Sequence, residues 1–157
     1  MSWIDEWIKE VDQMRHKCVL VFPRNEFGEV YDRLSGRDDV AFVSIEDSDG
    51  VDKHLAPSSR NILNLEFDDV DNDGEAEGRK TISEEQSSML AAFISEQIPR
   101  HFIIHCTAGR SRSQGVARVI FDCFPDIYQE CRFNRFNPCT TPNYSVVAAV
   151  KRQFWNF

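Results

Sequence analysis

The apolar positions change period along the chain, and each change marks an element. Ile4, Trp7, Ile8, Val11 and Met14 recur at helical spacing behind Ser2, a residue that caps helix N-termini, so a first helix is predicted. CVLVF (18–22) is a short, wholly apolar run and reads as a buried strand. Helical spacing returns with Phe27, Val30, Tyr31 and Leu34, and Asn25 is the expected cap. AFVSI (41–45) is a second strand, and NILNLEF (61–67), which alternates, is a third.

Further on, Ser83 and Gln86 stand at capping-box spacing ahead of an apolar stripe of Met89, Leu90, Phe93, Ile94 and Ile98. HFIIHC (101–106) is a fourth strand. The helix after it, SQGVARVIFDCF, turns Val116, Val119, Ile120, Cys123 and Phe124 inward. Thr141 as cap and Pro142 at the first helical position open a last helix lined by Val146, Val147, Val150 and Phe154. Strands that alternate with helices predict an α/β fold: a mainly parallel sheet of about four to five strands flanked by helices. No internal repeat, low-complexity tract or linker divides the chain, so one domain spanning residues 1–157 is expected.

Composition narrows the partners. A formal net charge of −8 disfavours nucleic acid, because phosphate backbones are bound by clustered Lys and Arg. MSWIDEWIKEVDQM lacks the basic start and unbroken apolar core of a secretory signal, and no stretch is apolar over the length of a bilayer crossing. A cytoplasmic protein without membrane attachment is therefore expected, its five cysteines (18, 106, 123, 131 and 139) being free thiols. Neither these cysteines nor His16, His54 and His101 have metal-ligand spacing, so no metal or other cofactor is expected. Trp3 and Trp7 are expected to pack in the core or along the first helix, and Trp155 against the C-terminal end.

The chemistry concentrates in HCTAGRSRS, residues 105–113. An apolar strand runs into Cys106, a short loop with Gly109 comes next, and Arg112 and Ser113 open a helix. A helix N-terminus presents unpaired N–H groups and the positive end of the dipole, which attract an oxyanion such as phosphate. Small residues and Gly109 let successive amides of Thr107, Ala108, Gly109, Arg110 and Ser111 converge. Arg112 adds a planar fork that can hold two phosphate oxygens. The same field holds a cysteine as thiolate, so Cys106 is the candidate nucleophile. Ser113 is placed to hydrogen-bond that sulfur, and His105 to brace the loop.

These residues, His105-Cys106-x2-Gly109-x2-Arg112-Ser113 between an apolar strand and a helix, resemble the signature of the cysteine-dependent protein tyrosine phosphatases. The length and late position of the signature are similar to the compact dual-specificity-like branch. The resemblance implies a hydrolase forming a cysteinyl phosphate, with phosphotyrosine or mixed phosphotyrosine and phosphoserine/threonine proteins as substrates. It also implies a general acid, an Asp following an earlier strand. Two other readings stay open: a phosphatase of a non-protein phosphate (an RNA 5′ end, a phosphoinositide or an inositol phosphate), or a weakly active phospho-binding module. Arg110 is one extra base in the direction of the first.

FDDVDNDGEAEGRK (67–80) holds the candidate acid. Asp69, Asp71, Asp73 and Gly74 imitate the opening of a calcium loop. Lys80 stands where that loop needs a bidentate Glu, and a strand precedes it where a helix is required. The first aspartates after the strand are the ones the resemblance points to, Asp69 first and Asp68 as substitute. Asp71, Asp73, Glu75 and Glu77 are expected to be solvated. Arg132 and Arg135, in the polar stretch that also carries Cys131 and Cys139, are expected at the surface.

Overall fold

A computed structural model describes residues 3–13, 17–48, 54–70, 78–107, 111–128 and 142–155. The elements are α1 (Trp3–Val11), β1 (Val19–Pro23), α2 (Arg24–Leu34), β2 (Val40–Glu46), β3 (Ile62–Glu66), α3 (Glu84–Gln97), β4 (His101–Cys106), α4 (Arg112–Cys123) and α5 (Tyr144–Trp155). The strands form one four-stranded sheet in the order β1-β4-β2-β3, and every pairing is parallel. The expected α/β architecture is therefore present.

Side chains alternate across a strand, so each apolar run feeds two cores. Val19, Val21, Ala41, Val43, Ile45, Leu63, Leu65, Phe102 and Ile104 meet α3, α4 and α5 on one face. Cys18, Leu20, Phe22, Val40, Phe42 and Ile103 meet α1 and α2 on the other, through Ile4, Trp7, Phe27, Val30 and Leu34. Both faces are covered, which is why the strand sequences read as nearly continuous apolar runs. β3 lies at the sheet edge, and its alternating sequence fits a strand that is only half-buried.

The expected capping box closes at Ser83 and Gln86, each side chain taking the other's backbone N–H. Two other expected caps are replaced. α2 begins at Arg24, with Pro23 in the cap position, so Asn25 lies inside the helix. α5 begins at Tyr144, after Pro142, and Asn143 Oδ1 accepts from the N–H groups of Ser145 and Val146. The geometry is that of an N-cap at Asn143; Thr141 lies outside the described residues.

Within the helices, Met89 departs from its stripe and is 46% exposed, while Leu90, Phe93 and Ile94 are buried. Trp7 is buried, whereas Trp155 stands in solvent beside the Lys151 ammonium. Among the described residues, no helix is long and apolar enough to cross a membrane. His16, Cys131, Arg132, Arg135, Cys139 and the acidic residues Asp71, Asp73, Glu75 and Glu77 lie outside the described residues.

Candidate active site

β1 and β4 are neighbours, yet the helices that come after them leave on opposite faces: α2 on one, α4 on the other. A parallel sheet opens a crevice at the carboxyl ends of such a strand pair. The register places Pro23 beside Cys106, and the Arg24 N–H donates to the Thr107 carbonyl at 3.2 Å. A cavity of about 410 Å³ lies there, lined by Arg24, Phe27, Glu46, Leu55, His105 and Thr107. A larger one, about 740 Å³, runs between β3 and α3. Its wall is partly closed by Gln86 Nε2, which donates to the Glu66 carbonyl. The smaller crevice is lined by His105 and Thr107, the residues on either side of Cys106 in the chain, and not by Cys106 itself.

Cys106 ends β4 and is buried, with its Sγ 3.1 Å from Ser113 Oγ on the first turn of α4. Ser111 occupies the cap position of α4 but makes no side-chain cap bond among the described residues. Its hydroxyl turns outward and donates to Asp69 Oδ1 at 2.7 Å. The Ser111 side chain therefore takes none of the first amides of α4, the helix end whose dipole favours an anion. Thr107 is exposed beside Cys106; Ala108, Gly109 and Arg110 lie outside the described residues.

Arg112 is only 3% exposed. Its Nη1 donates to the Phe67 carbonyl at 2.7 Å and to Asp47 Oδ1 at 2.8 Å, and its Nη2 donates to Thr107 Oγ1 at 3.1 Å. The guanidinium plane is thus fixed by three elements before any ligand arrives. Nε is buried and has no partner among the described residues. A buried donor left unmade costs free energy, about 1–3 kcal/mol, which an arriving oxyanion would recover.

The adjacent aspartates have different duties. Asp68 accepts from the Ser48 N–H, the Ser48 hydroxyl and the Lys80 N–H, and its own N–H donates to the Lys80 carbonyl. Burial would raise its pKa, but the bonds from Ser48 and Lys80 outweigh it and hold the carboxyl at about 2. Asp68 thereby ties the two ends of the acidic loop together. Asp69 is exposed and faces α4 and α5 instead: its Oδ1 accepts from Ser111 Oγ and, at 2.9 Å, from Asn143 Nδ2. The Asn143 N–H also donates to the Ser111 carbonyl, so one residue links the acidic loop to the start of α4. Gly115 permits this approach, since a Cβ there would meet the Asn143 carbonyl at 3.0 Å.

His105 lies beneath the loop as a buried, uncharged ring. Burial pulls its pKa down to about 3, against a weaker opposing pull from the Cys106 backbone. Its Nε2 is 2.6 Å from Ser44 Oγ, and its ring stacks at a tilt on Phe27, with centroids 4.0 Å apart.

The predicted residues Cys106, Thr107, Ser111, Arg112, Ser113, His105 and Asp69 thus converge at one edge of the sheet. Sequence reasoning missed Asp47, Asn143 and Ser44. Asp47 directly succeeds β2 at the same carboxyl edge, a place where ligand-site residues gather. Asn143 carried a readable signal, an Asn just ahead of an amphipathic run. Ser44 carried none, since it faces His105 only through the β2–β4 register. No protein-family model, curated protein or solved structure matches the chain.

Proposed function

We propose that the protein is a phosphomonoester hydrolase of the cysteine-dependent tyrosine phosphatase type, working through a cysteinyl phosphate. The observation that carries this reading is one constellation. Cys106 Sγ lies against Ser113, Arg112 is locked at the helix start with Nε unpaired, and Asp69 bonds to Ser111 across the loop.

In this mechanism the Cys106 thiolate attacks phosphorus, and the bond to the leaving oxygen breaks as Asp69 gives that oxygen its proton. Arg112 and the loop amides stabilise the charge on the equatorial oxygens. Water then attacks the phosphocysteine, Asp69 takes its proton, and the sulfur leaves as thiolate with a hydrogen bond from Ser113. Asp68 is a poor substitute acid because its bonds favour the ionised form at all but the lowest pH. The chain supplies the positive charge itself, so a metal is not required. The substrate class is phosphotyrosine, or mixed phosphotyrosine and phosphoserine/threonine, in proteins.

The test is hydrolysis of an aryl phosphate in EDTA. The wild type is expected to turn over at an undiminished rate and Cys106→Ser to fall to background. Undiminished turnover by Cys106→Ser would overturn the mechanism.

A further inference from the structure

β3 is an edge of the sheet, and the chain's own groups close most of its outer side. The Asn61 carbonyl accepts from the Phe42 N–H, and the Phe67 N–H donates to the Glu46 carbonyl. By the alternation of a parallel ladder, Ile62, Asn64 and Glu66 therefore turn their backbone groups outward. Ile62 exchanges both bonds with Ser59, the Asn64 N–H donates to Ser58 Oγ, and the Glu66 carbonyl accepts from Gln86 Nε2. Two outward groups are left without a partner among the described residues: the Asn64 carbonyl and the Glu66 N–H. They border the groove of about 740 Å³ between β3 and α3, which Asn64, Leu65 and Glu66 line.

We propose that this groove docks an extended, basic segment of a partner protein, laid beside β3 as a further short strand. An extended segment centred opposite Leu65 donates one N–H to the Asn64 carbonyl and accepts from the Glu66 N–H, whichever way it runs. No other backbone group on that edge is left to pair, so the contact is short and its specificity comes from side chains.

Those side chains are set by alternation. Residues opposite each other in a sheet share a face, and neighbours along a strand take opposite faces. Leu65 faces the α3 side, so the central side chain of the segment falls there, where Met89 stands 46% exposed. An apolar residue fits that place. Its two neighbours fall on the face of Asn64 and Glu66. The Glu66 side chain is half-exposed, and Glu85 stands exposed at the same groove. Lys80 is the one cation among the described residues that line it. Two carboxylates against one ammonium, on a chain of net charge −8, favour Lys or Arg on either side of the apolar residue.

The groove also reaches the base of the acidic loop. Ser48 and Lys80 line it, and both bond to Asp68, the residue before the candidate acid Asp69. A substrate protein docked here gains binding that is equal in ground and transition states, which lowers KM and leaves kcat alone. That effect on turnover rests on the phosphatase reading; the docking itself does not.

The experiment is a ¹H–¹⁵N titration of the full-length protein with a short unphosphorylated peptide, a Leu flanked on both sides by Lys. The Glu66 amide resonance is expected to move downfield and its hydrogen exchange to slow, as the N–H gains a partner. Glu in place of Lys in the peptide, or Met89→Lys at the exposed wall of the protein, should weaken binding by about ten-fold. Joined to a phosphotyrosine, the basic segment should lower KM by about ten-fold relative to the acidic one, with kcat unmoved, and Met89→Lys should erase the difference.

A Glu66 amide that ignores the basic peptide, or answers the acidic one equally, would overturn the docking site. A resonance that follows protein concentration without peptide would make a second copy of the chain the occupant, and would overturn it too. Binding at β3 with KM unmoved would remove its part in substrate choice. A wild type that binds the peptide but hydrolyses no aryl phosphate would overturn the phosphatase reading and leave the docking site standing.

Discussion

β4 carries a buried histidine at each end, and the two ends do different work. At the amino end, His101 Nδ1 accepts from the Cys18 N–H at 3.0 Å and helps pin β1 to β4. Burial lowers its pKa to about 4, much as it lowers that of His105 to about 3. Burial, strand and titration therefore hardly distinguish them. The difference lies in their neighbours along the chain: His105 is succeeded by Cys106, the start of α4 and a locked arginine, whereas His101 is succeeded by core. A perturbed histidine marks a site only when groups that can bind and react converge beside it.

The contrast is broken most severely through Arg112. Arg112→Lys keeps the charge but loses the planar fork, and kcat on an aryl phosphate should fall by about 10²–10³-fold. An unchanged rate would deny the arginine its role. Asp69→Asn should cost about 10²-fold in kcat and flatten the basic limb of the pH–rate profile. Asp68→Asn should leave that limb in place while lowering stability by about 1–3 kcal/mol, read by urea titration. If the two effects were exchanged, the acid would be Asp68.

At the other end of the strand, His101→Leu should destabilise by about 1–3 kcal/mol, since the Cys18 N–H loses its buried acceptor, with kcat unmoved. Gly115→Ala should cost a similar amount by forcing α4 from Asn143, and should also lower kcat through the displaced Asp69 contact.

A further effect is shared by both ends. The unfolded chain binds protons at histidine near the ordinary value of 6.5, whereas the folded chain refuses them until about 4 at His101 and about 3 at His105. In that window the unfolded state holds more protons, so stability falls as pH drops from 6.5 and rises as pH increases. In denaturant titrations from pH 7 to pH 4, His101→Leu should show a shallower decline than the wild type. An equal slope would remove His101 from the account.

Much of this was legible in the chain itself, and the rest depended on register. The strands declared themselves because a sheet covered on both faces demands continuous apolar runs, as in VLVF and FIIHC. Residues 105–113 were readable because strand, cysteine, loop and arginine are contiguous. Asp47, Asn143, Ser44 and His54 are far from that segment in sequence and join it only through the strand order and the α4–α5 contact. The misplaced caps have local causes: Pro23 at the end of β1 leads directly into α2, and Asn143 Oδ1 takes the first N–H groups of α5. Met89 fell on the helical stripe, but α3 turns that side toward the open groove beside β3.

The central claim, that Cys106 carries the phosphoryl group, is tested most directly by trapping it. Asp69→Asn should form the intermediate from an aryl phosphate with a good leaving group yet hydrolyse it slowly. Acid quenching and peptide mass spectrometry should then find the mass of one phosphoryl group on the Cys106 peptide, absent when Cys106→Ser is added. A hydrolysing enzyme whose label lies on another residue, or persists in Cys106→Ser, would contradict the account.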